Sequence, residues 1–258
     1  MTESNKLEIH RVMHEIKRRR LEVLRVVDIT PRMRRITLGG PQLAGFVSLG
    51  SDDHIKLLFP QNAAEQAALD SPTFTLQGDG PKPAMRDYTP RRFDLSINEL
   101  DIDFVLHGDG PASTWAEQAK VGQHLHIGGP RGSMIVPDIF DSYLLIGDET
   151  AIPAIARRLE ELPAGRKALV VIEIANAAER QALHSAAEVE VIWVIRDQDD
   201  LLETVQNLTP PSGSLYSFVA TESKLSRQLR RVLLDTHQVN EAFLKAAGYW
   251  RAQDSQED

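Results

Sequence analysis

Two textures of hydrophobic patterning divide the chain. Between Leu21 and Ile29 the apolar residues Leu21, Val23, Leu24, Val26, Val27 and Ile29 alternate imperfectly with Glu22, Arg25 and Asp28, which predicts a half-buried strand rich in β-branched residues. Thr30-Pro31-Arg32 reads as a turn, and Arg34–Leu38 as a second strand that stops at Gly39-Gly40-Pro41. His54–Phe59, Met85–Tyr88, Glu99–Leu106 and Gln123–Ile127 supply further strands between loops rich in Gly, Pro and Asp. Short strands at this spacing, with almost no helical periodicity, predict an antiparallel six-stranded barrel over residues 16–138. Residues 1–15 are polar and unpatterned, and predict a disordered arm.

The second texture begins at Tyr143. Tyr143-Leu144-Leu145-Ile146 is a wholly apolar run, as in a strand buried on both faces. Helical spacing follows over Ile152–Leu162, then a strand at Ala168–Ile174, a helix at Glu179–Ala187 and a strand at Val189–Ile195. A helix at Leu201–Leu208, a strand at Leu215–Ala220 and an amphipathic helix at Ser223–Gln238 complete the series. Fourfold alternation of strand and helix predicts a doubly wound parallel sheet, an α/β nucleotide-binding domain over residues 141–251 with an acidic tail at 252–258.

Composition removes several function classes. The 258 residues are 42% hydrophobic and 26% charged, ordinary globular usage. No apolar run approaches the roughly 20 residues of a membrane helix, and the basic first twenty positions lack the apolar core of a secretory signal, so the expected compartment is the cytoplasm. Cysteine is absent, which excludes disulfides, thiolate metal sites and cysteine nucleophiles. A net charge of −8 disfavours nucleic acid as a partner. The distribution is uneven: Arg11–Arg35 carries +6, readable either as solvated strand edges with a basic arm or as an attractor for an anionic ligand.

Four short segments carry candidate chemistry. Arg86-Asp87-Tyr88-Thr89-Pro90-Arg91 closes a barrel strand with cations, a ring and a hydroxyl, a set suited to a phosphorylated flat heterocycle. His107-Gly108-Asp109-Gly110-Pro111-Ala112-Ser113-Thr114-Trp115 places a tight turn before a helix start, where free N–H groups can meet phosphate or merely be capped. Gly128-Gly129-Pro130-Arg131-Gly132-Ser133 is a second glycine-rich turn with one arginine, and Gly147-Asp148-Glu149-Thr150-Ala151-Ile152-Pro153 joins the first parallel strand to its helix.

Taken in order, these segments resemble the siderophore-interacting protein family of flavin-dependent ferric-siderophore reductases, within the ferredoxin reductase-like superfamily. Asp52–Pro60 and Gly248-Tyr249-Trp250-Arg251 share the likeness, which runs from about Arg20 to Arg251. The resemblance implies an FAD-binding barrel, NADPH (or NADH) as electron donor, and a ferric siderophore as substrate. It implies that Arg86 meets the FAD pyrophosphate, that Tyr88 lies against the isoalloxazine and that Thr89 sits near its hydride-accepting nitrogen. Asp87, His107, Gly110, Pro111, Ala112, Ser113 and Trp115 fall in the same cofactor segments, and Lys56, Arg131 and Arg251 match the family's basic substrate patch. Ferric tris-catecholates are bulky trianions, so an acidic protein needs local positive charge to hold one.

Two departures from the wider superfamily stand out. Asp148 and Glu149 replace its glycine-rich dinucleotide loop, where carboxylates would repel a pyrophosphate unless turned away. The superfamily's cysteine near nicotinamide is missing, which leaves Thr150 as the candidate there and Arg180 and Arg196 as candidates for a 2′-phosphate. Tyr249 and Trp250 either shield the flavin face or simply pack the C-terminal segment. His124 and His126 share a strand face, but no third ligand sits at metal spacing, so no protein-bound metal is expected. Since hydride donor and ferric acceptor exchange electrons through the flavin, no catalytic side chain is expected. The competing readings are reduction by ferredoxin on the same fold, or a non-catalytic siderophore-binding protein. A monomer is the default expectation.

Overall fold

Residues 8–75, 80–108 and 110–252 are described by the structure, a computed structural model. The chain forms two compact units, one spanning Arg11–Ile135 and one beginning at Val136. The first contains β1 (His10–Met13), β2 (Arg18–Thr30), β3 (Met33–Gly39), β4 (Ile55–Phe59), α1 (Ala63–Asp70), β5 (Ala84–Tyr88), β6 (Arg92–Asp94), β7 (Glu99–Val105), α2 (Pro111–Gln118), β8 (His124–Gly128) and β9 (Gly132–Ile135). The second contains β10 (Ser142–Asp148), α3 (Ile152–Glu161), β11 (Lys167–Ile174), β12 (Glu188–Ile195), α4 (Leu201–Asn207), β13 (Leu215–Glu222), α5 (Ser223–Asp235) and β14 (Leu244–Trp250).

The first unit is a curled antiparallel sheet of seven strands in the order β5-β4-β8-β2-β3-β7-β6, one more than expected because β6 is only three residues long. The thirteen-residue β2 serves two neighbours: Arg18–Glu22 pairs with β8, and Glu22–Thr30 with β3. The register slips between Val23 and Arg25. That slip accounts for the imperfect alternation of this segment, since a bulge reverses which residues face the core. Leu21 and Val23 are fully buried, whereas Val27 is exposed. The core behind the sheet gathers Leu21, Ile36, Leu57, Ile102, Phe104 and Ile127, with α2 supplying Ala112 and Ala116.

Two expectations for this unit need correction. Within residues 1–15, His10–Met13 is an ordered strand paired with β9, because the His14 N–H donates to the Arg131 carbonyl and His14 Nε2 bonds Ser133 Oγ at 2.7 Å. Residues 1–7 and the tail at 253–258 lie outside the described residues. Helix α1 was hidden by weak periodicity, yet Asn62 and Glu65 form a reciprocal cap at its start. The +6 segment is also largely consumed within the unit. Arg25 pairs with Glu99, Arg34 with Asp28 and Arg35 bidentately with Asp103. Arg18 donates to carbonyls of Leu69 and Ser71 at the end of α1, and the buried Arg19 lies over Phe46.

In the second unit five parallel strands run in the order β12-β11-β10-β13-β14. Leu144, Ile146, Val171 and Val219 face α4 and α5, which contribute Leu201, Val205, Leu229 and Leu233 to one core. Helix α3 packs on the opposite face against Gly147, so the sheet is covered on both sides. No helix forms over Glu179–Ala187. Asn176 caps only a single 3₁₀ turn, and Ser185 ties the segment back to the Leu159 carbonyl. The last strand, β14, was not anticipated from the sequence.

Gly147 is the tightest point of this packing: a Cβ there would lie 2.4 Å from Ala151 Cβ and 2.8 Å from the Ala220 carbonyl oxygen. Gly147→Ala is expected to cost about 1–3 kcal/mol by overpacking. Gly128→Ala, where nothing lies within 4 Å, serves as the neutral comparison. Thermal unfolding of both variants checks this, and equal midpoints would refute the packing argument.

Candidate functional site

The β4–β5 ladder sorts the first motif onto two faces. Ile55 pairs with Tyr88, Lys56 with Asp87 and Leu57 with Arg86. Because side chains alternate along a strand, Tyr88 and Arg86 share the core-facing side with Ile55 and Leu57. Tyr88 packs on Phe104 with ring centroids 4.6 Å apart. Burial pushes its phenol well above the ordinary value, so the ring is neutral. Thr89 is buried beside it, and Arg86 is exposed and donates to the Met85 carbonyl. On the other face Lys56 Nζ lies 2.9 and 3.2 Å from the two oxygens of Asp87. Asp87 is therefore engaged by Lys56.

The second motif builds the start of α2. Gly110 takes φ +95°, open to glycine, and has no side chain with which to cap the helix. Pro111 carries no N–H, so the first free donors are those of Ala112 and Ser113. The Ser113 hydroxyl accepts from the His107 N–H at 3.0 Å and donates to Glu117, which leaves the backbone as the group open to an anion. The His107 ring lies against Gly110, and Trp115 packs on Phe59 and Phe104. An uncapped helix start whose Trp115 joins an aromatic row with Phe104 and Tyr88 fits a phosphorylated flavin. Asp109 lies outside the described residues. In the third motif, Gly128 is the ladder partner of Lys56 and leads directly to the exposed Arg131.

The fourth motif behaves differently in its own unit. Strand order reverses around β10, whose carboxyl end is where ligands bind in such sheets. That place is filled from within. Asp148 is buried and accepts four hydrogen bonds: from the Thr150 N–H and hydroxyl at 2.9 and 2.5 Å, from Thr221 at 2.8 Å, and from Trp250 Nε1 at 2.7 Å. Glu149 pairs with Arg196 at 2.7 Å, and Arg196 also bonds Glu173. Both carboxylates are thus turned away from solvent. Burial holds Glu173 above its ordinary value, with Arg196 opposing and Asp148 and Glu149 adding to the rise. The Thr150 hydroxyl and the Arg196 guanidinium are already committed, while Arg180 is exposed. Trp250 belongs to β14, and Arg251 follows it.

A curled antiparallel unit followed by a parallel five-stranded unit is the ferredoxin reductase-like architecture. Within that class, residues 22–134 match the siderophore-interacting FAD-binding domain, and residues 140–253 the siderophore-interacting protein family. The chain belongs to the siderophore-interacting protein family. It is 35% identical to the NADPH-dependent ferric-chelate reductase of Escherichia coli, over 94% of this chain and 96% of that one. It is 32% identical to the ferric vibriobactin reductase ViuB of Vibrio cholerae, over 90% of this chain and 89% of the relative. The crystal structure of a siderophore utilization protein from T. fusca superposes with a TM-score of 0.86 at 36% identity, covering 97% of this chain and 99% of the other.

Two predictions follow from the geometry. Asp148→Ala strands the Thr221 and Trp250 donors and removes a cap, so it is expected to cost about 2–4 kcal/mol in unfolding measurements. Trp250→Phe should cost less, and the double-mutant cycle should give a coupling of about 1–2 kcal/mol, whereas additivity would disprove the contact's contribution. The second concerns His126, which burial holds below the ordinary imidazole value despite Asp70, with Arg18 and Arg20 acting the same way as burial. The unfolded chain takes up that proton first. Stability is therefore full above about pH 6.5 and declines as pH falls toward the folded value. Denaturation series on wild type and His126→Phe should show a shallower acid slope in the variant.

Proposed function

We propose that this protein is an NADPH-dependent ferric-siderophore reductase that uses FAD. The observation that carries this reading is the 35% identity, across both units, to a relative named for that activity. The uncapped start of α2, whose Trp115 is linked to Tyr88 through Phe104, agrees with it. In this reading Arg86 and the N–H groups of Ala112 and Ser113 hold the pyrophosphate. Tyr88 presents a neutral ring to the flavin, Thr89 offers a hydroxyl to its edge, and His107, Gly110, Pro111 and Trp115 shape the ribityl and phosphate path. Bound FAD supplies the exchange between two-electron hydride chemistry and one-electron reduction of iron.

The remaining work of the chain is electrostatic. Lys56, Arg131 and Arg251 lower the cost of holding a trianionic chelate. Asp87 acts on Lys56, its ion-pair partner. No proton has to be removed from the substrate, so no general base is needed. Ferrous iron binds hard oxygen ligands more weakly than ferric iron, and reduction thereby releases it for assimilation. We assign the protein to the cytoplasm as a monomer. Among the described residues no helix is long and apolar enough to cross a membrane.

Purified protein, FAD, a ferric tris-catecholate and NADPH, with a ferrous trap present, should produce Fe(II) faster than FAD and NADPH alone. Equal rates would sink the reading. Substituting NADH or reduced ferredoxin in parallel identifies the donor, and chelate binding without reduction by any donor would establish a binding protein instead. Lys56→Ala and Arg131→Ala should each raise KM for the chelate by about tenfold, the scale of one lost charge-assisted contact, with KM for NADPH unchanged.

A further inference from the structure

Among the described residues three arginines are buried: Arg19, Arg157 and Arg158. Arg157 and Arg158 reach the Glu161 carboxylate at 3.8 and 3.6 Å. Arg19 is only 5% exposed, yet no carboxylate of the described residues lies within 4.0 Å of it. The acid that acts on it from further away, Glu15, is exposed and is paired with Lys17 at 3.0 Å.

The surroundings of Arg19 compensate its charge poorly. Nη1 donates to the Lys17 and Gly129 carbonyls, both at 3.3 Å, and Nη2 to the Gly45 carbonyl at 3.4 Å. All three are longer than an ordinary N–H···O bond. The Phe46 ring centroid lies 5.4 Å from Cζ, and Nε is buried without a hydrogen-bond partner. A guanidinium does not shed its proton to escape burial, so the full charge stays in place. A buried ion without a counter-ion is unfavourable, and an apolar side chain of similar volume often serves a fold as well or better. Stability alone is therefore a poor account of Arg19.

Its position supplies a better one. The Gly129 carbonyl belongs to the turn that joins β8 to β9 and carries the exposed Arg131. The Gly129 N–H donates to the Lys17 carbonyl at 3.2 Å, so Arg19 Nη1 bridges the two carbonyls of that junction. The Arg131 carbonyl accepts from the His14 N–H at 2.9 Å. In the ladder Arg19 pairs with Ile127 and Ile127 with Leu57, on the core-facing side. The next row, Arg18, Gly128 and Lys56, presents its side chains to the opposite face. Arg19 thus lies beneath the stretch of sheet and turn that carries both Lys56 and Arg131. A charge shielded from water and salt acts over a longer range than an exposed one.

We propose that Arg19 is a specificity-determining residue, an unneutralised charge that holds the turn bearing Arg131 and tilts binding toward highly anionic chelates. The proposal deepens the chelate reading above and rests on it.

FAD-loaded protein without an electron donor, titrated with two ferric chelates and followed by tryptophan fluorescence, tests it. One is a trianionic tris-catecholate; the other is a tris-hydroxamate, whose three singly charged ligands leave it neutral. Arg19→Gln keeps a donor for the Gly129 carbonyl and removes the charge, whereas Arg19→Lys keeps the charge without the fork. Arg19→Gln should weaken the trianion by at least about tenfold, the lower end of what a focused positive potential contributes, and the neutral chelate by less than about twofold. Arg19→Lys should stay within about threefold of wild type for both. KM for NADPH should not change, and the thermal midpoint of Arg19→Gln should equal or exceed that of wild type. Equal weakening of both chelates would mark a merely structural role and overturn the proposal. An unchanged trianion affinity in Arg19→Gln, where Arg131→Ala loses it, would overturn the proposal and leave the chelate reading intact. Should Arg19→Gln not fold, loss of the trianion preference in Arg19→Lys would overturn the charge argument. Wild-type protein that binds neither chelate would overturn the chelate reading as well.

Discussion

A carboxylate buried at the end of β10 governs what the second unit can do with a negatively charged ligand. Doubly wound sheets ordinarily leave this position to a glycine-rich turn, so that free N–H groups of the following helix meet a phosphate. Here the anion is built in. Asp148 receives the Thr150 N–H, two hydroxyls including that of Thr221, and the Trp250 indole. The same side chain thereby caps the turn before α3, joins β10 to β13, and fixes the last residue of β14. Gly147 is required just before it because Ala151 and the Ala220 carbonyl come too close for any side chain. Cap, strand junction and C-terminal strand are thus one hydrogen-bonded assembly. Asp148 thus already takes the Thr150 N–H that a dinucleotide phosphate would otherwise meet at this turn.

The first unit solves the opposite problem, leaving donors open. Helix α2 starts without a side-chain cap: its first residue, Pro111, follows Gly110, and the helix is backed by the rings of Phe59, Phe104 and Trp115. By contrast, α1, α4 and α5 are capped by Asn62, Asp200 and Glu222. Where a helix end carries no internal partner, an external anion gains most. The two units therefore differ in capping: α2 starts without a side-chain cap, whereas the turn that leads into α3 is capped by the Asp148 carboxylate.

Much of this was legible in the sequence, and the exceptions have identifiable causes. Strands with alternating or continuous apolar residues, such as Glu99–Val105 and Ser142–Asp148, match their patterns because one or both faces are buried along their whole length. The strands that escaped notice, β1, β6, β9 and β14, are short or half-exposed, so burial leaves little periodicity in them. The helix expected over Glu179–Ala187 has plausible composition, but side-chain bonds to the backbone from Asn176 and Ser185 hold turns instead. Motif residues were findable one by one. What each touches was not: the commitment of Thr150 and Arg196 to internal carboxylates, and the meeting of Arg20, Trp115 and His126 around one cleft, arise from contacts between residues distant in the chain.

The Lys56–Asp87 pair shows how an acidic protein can keep a cation ready without displaying it permanently. Both side chains are about half exposed. An ion pair in that setting contributes no more than about 1 kcal/mol, because water screens it and two flexible chains must be ordered. Breaking it is correspondingly cheap. In the proposed reading a multiply charged chelate would compete with one carboxylate for the ammonium, and a displaced Asp87 would be rehydrated rather than stranded in a low-dielectric interior, where the penalty is several kcal/mol. In that reading an exposed acid that keeps the lysine occupied is a source of charge discrimination, and strand alternation sets Asp87 on the face opposite Arg86 and Tyr88.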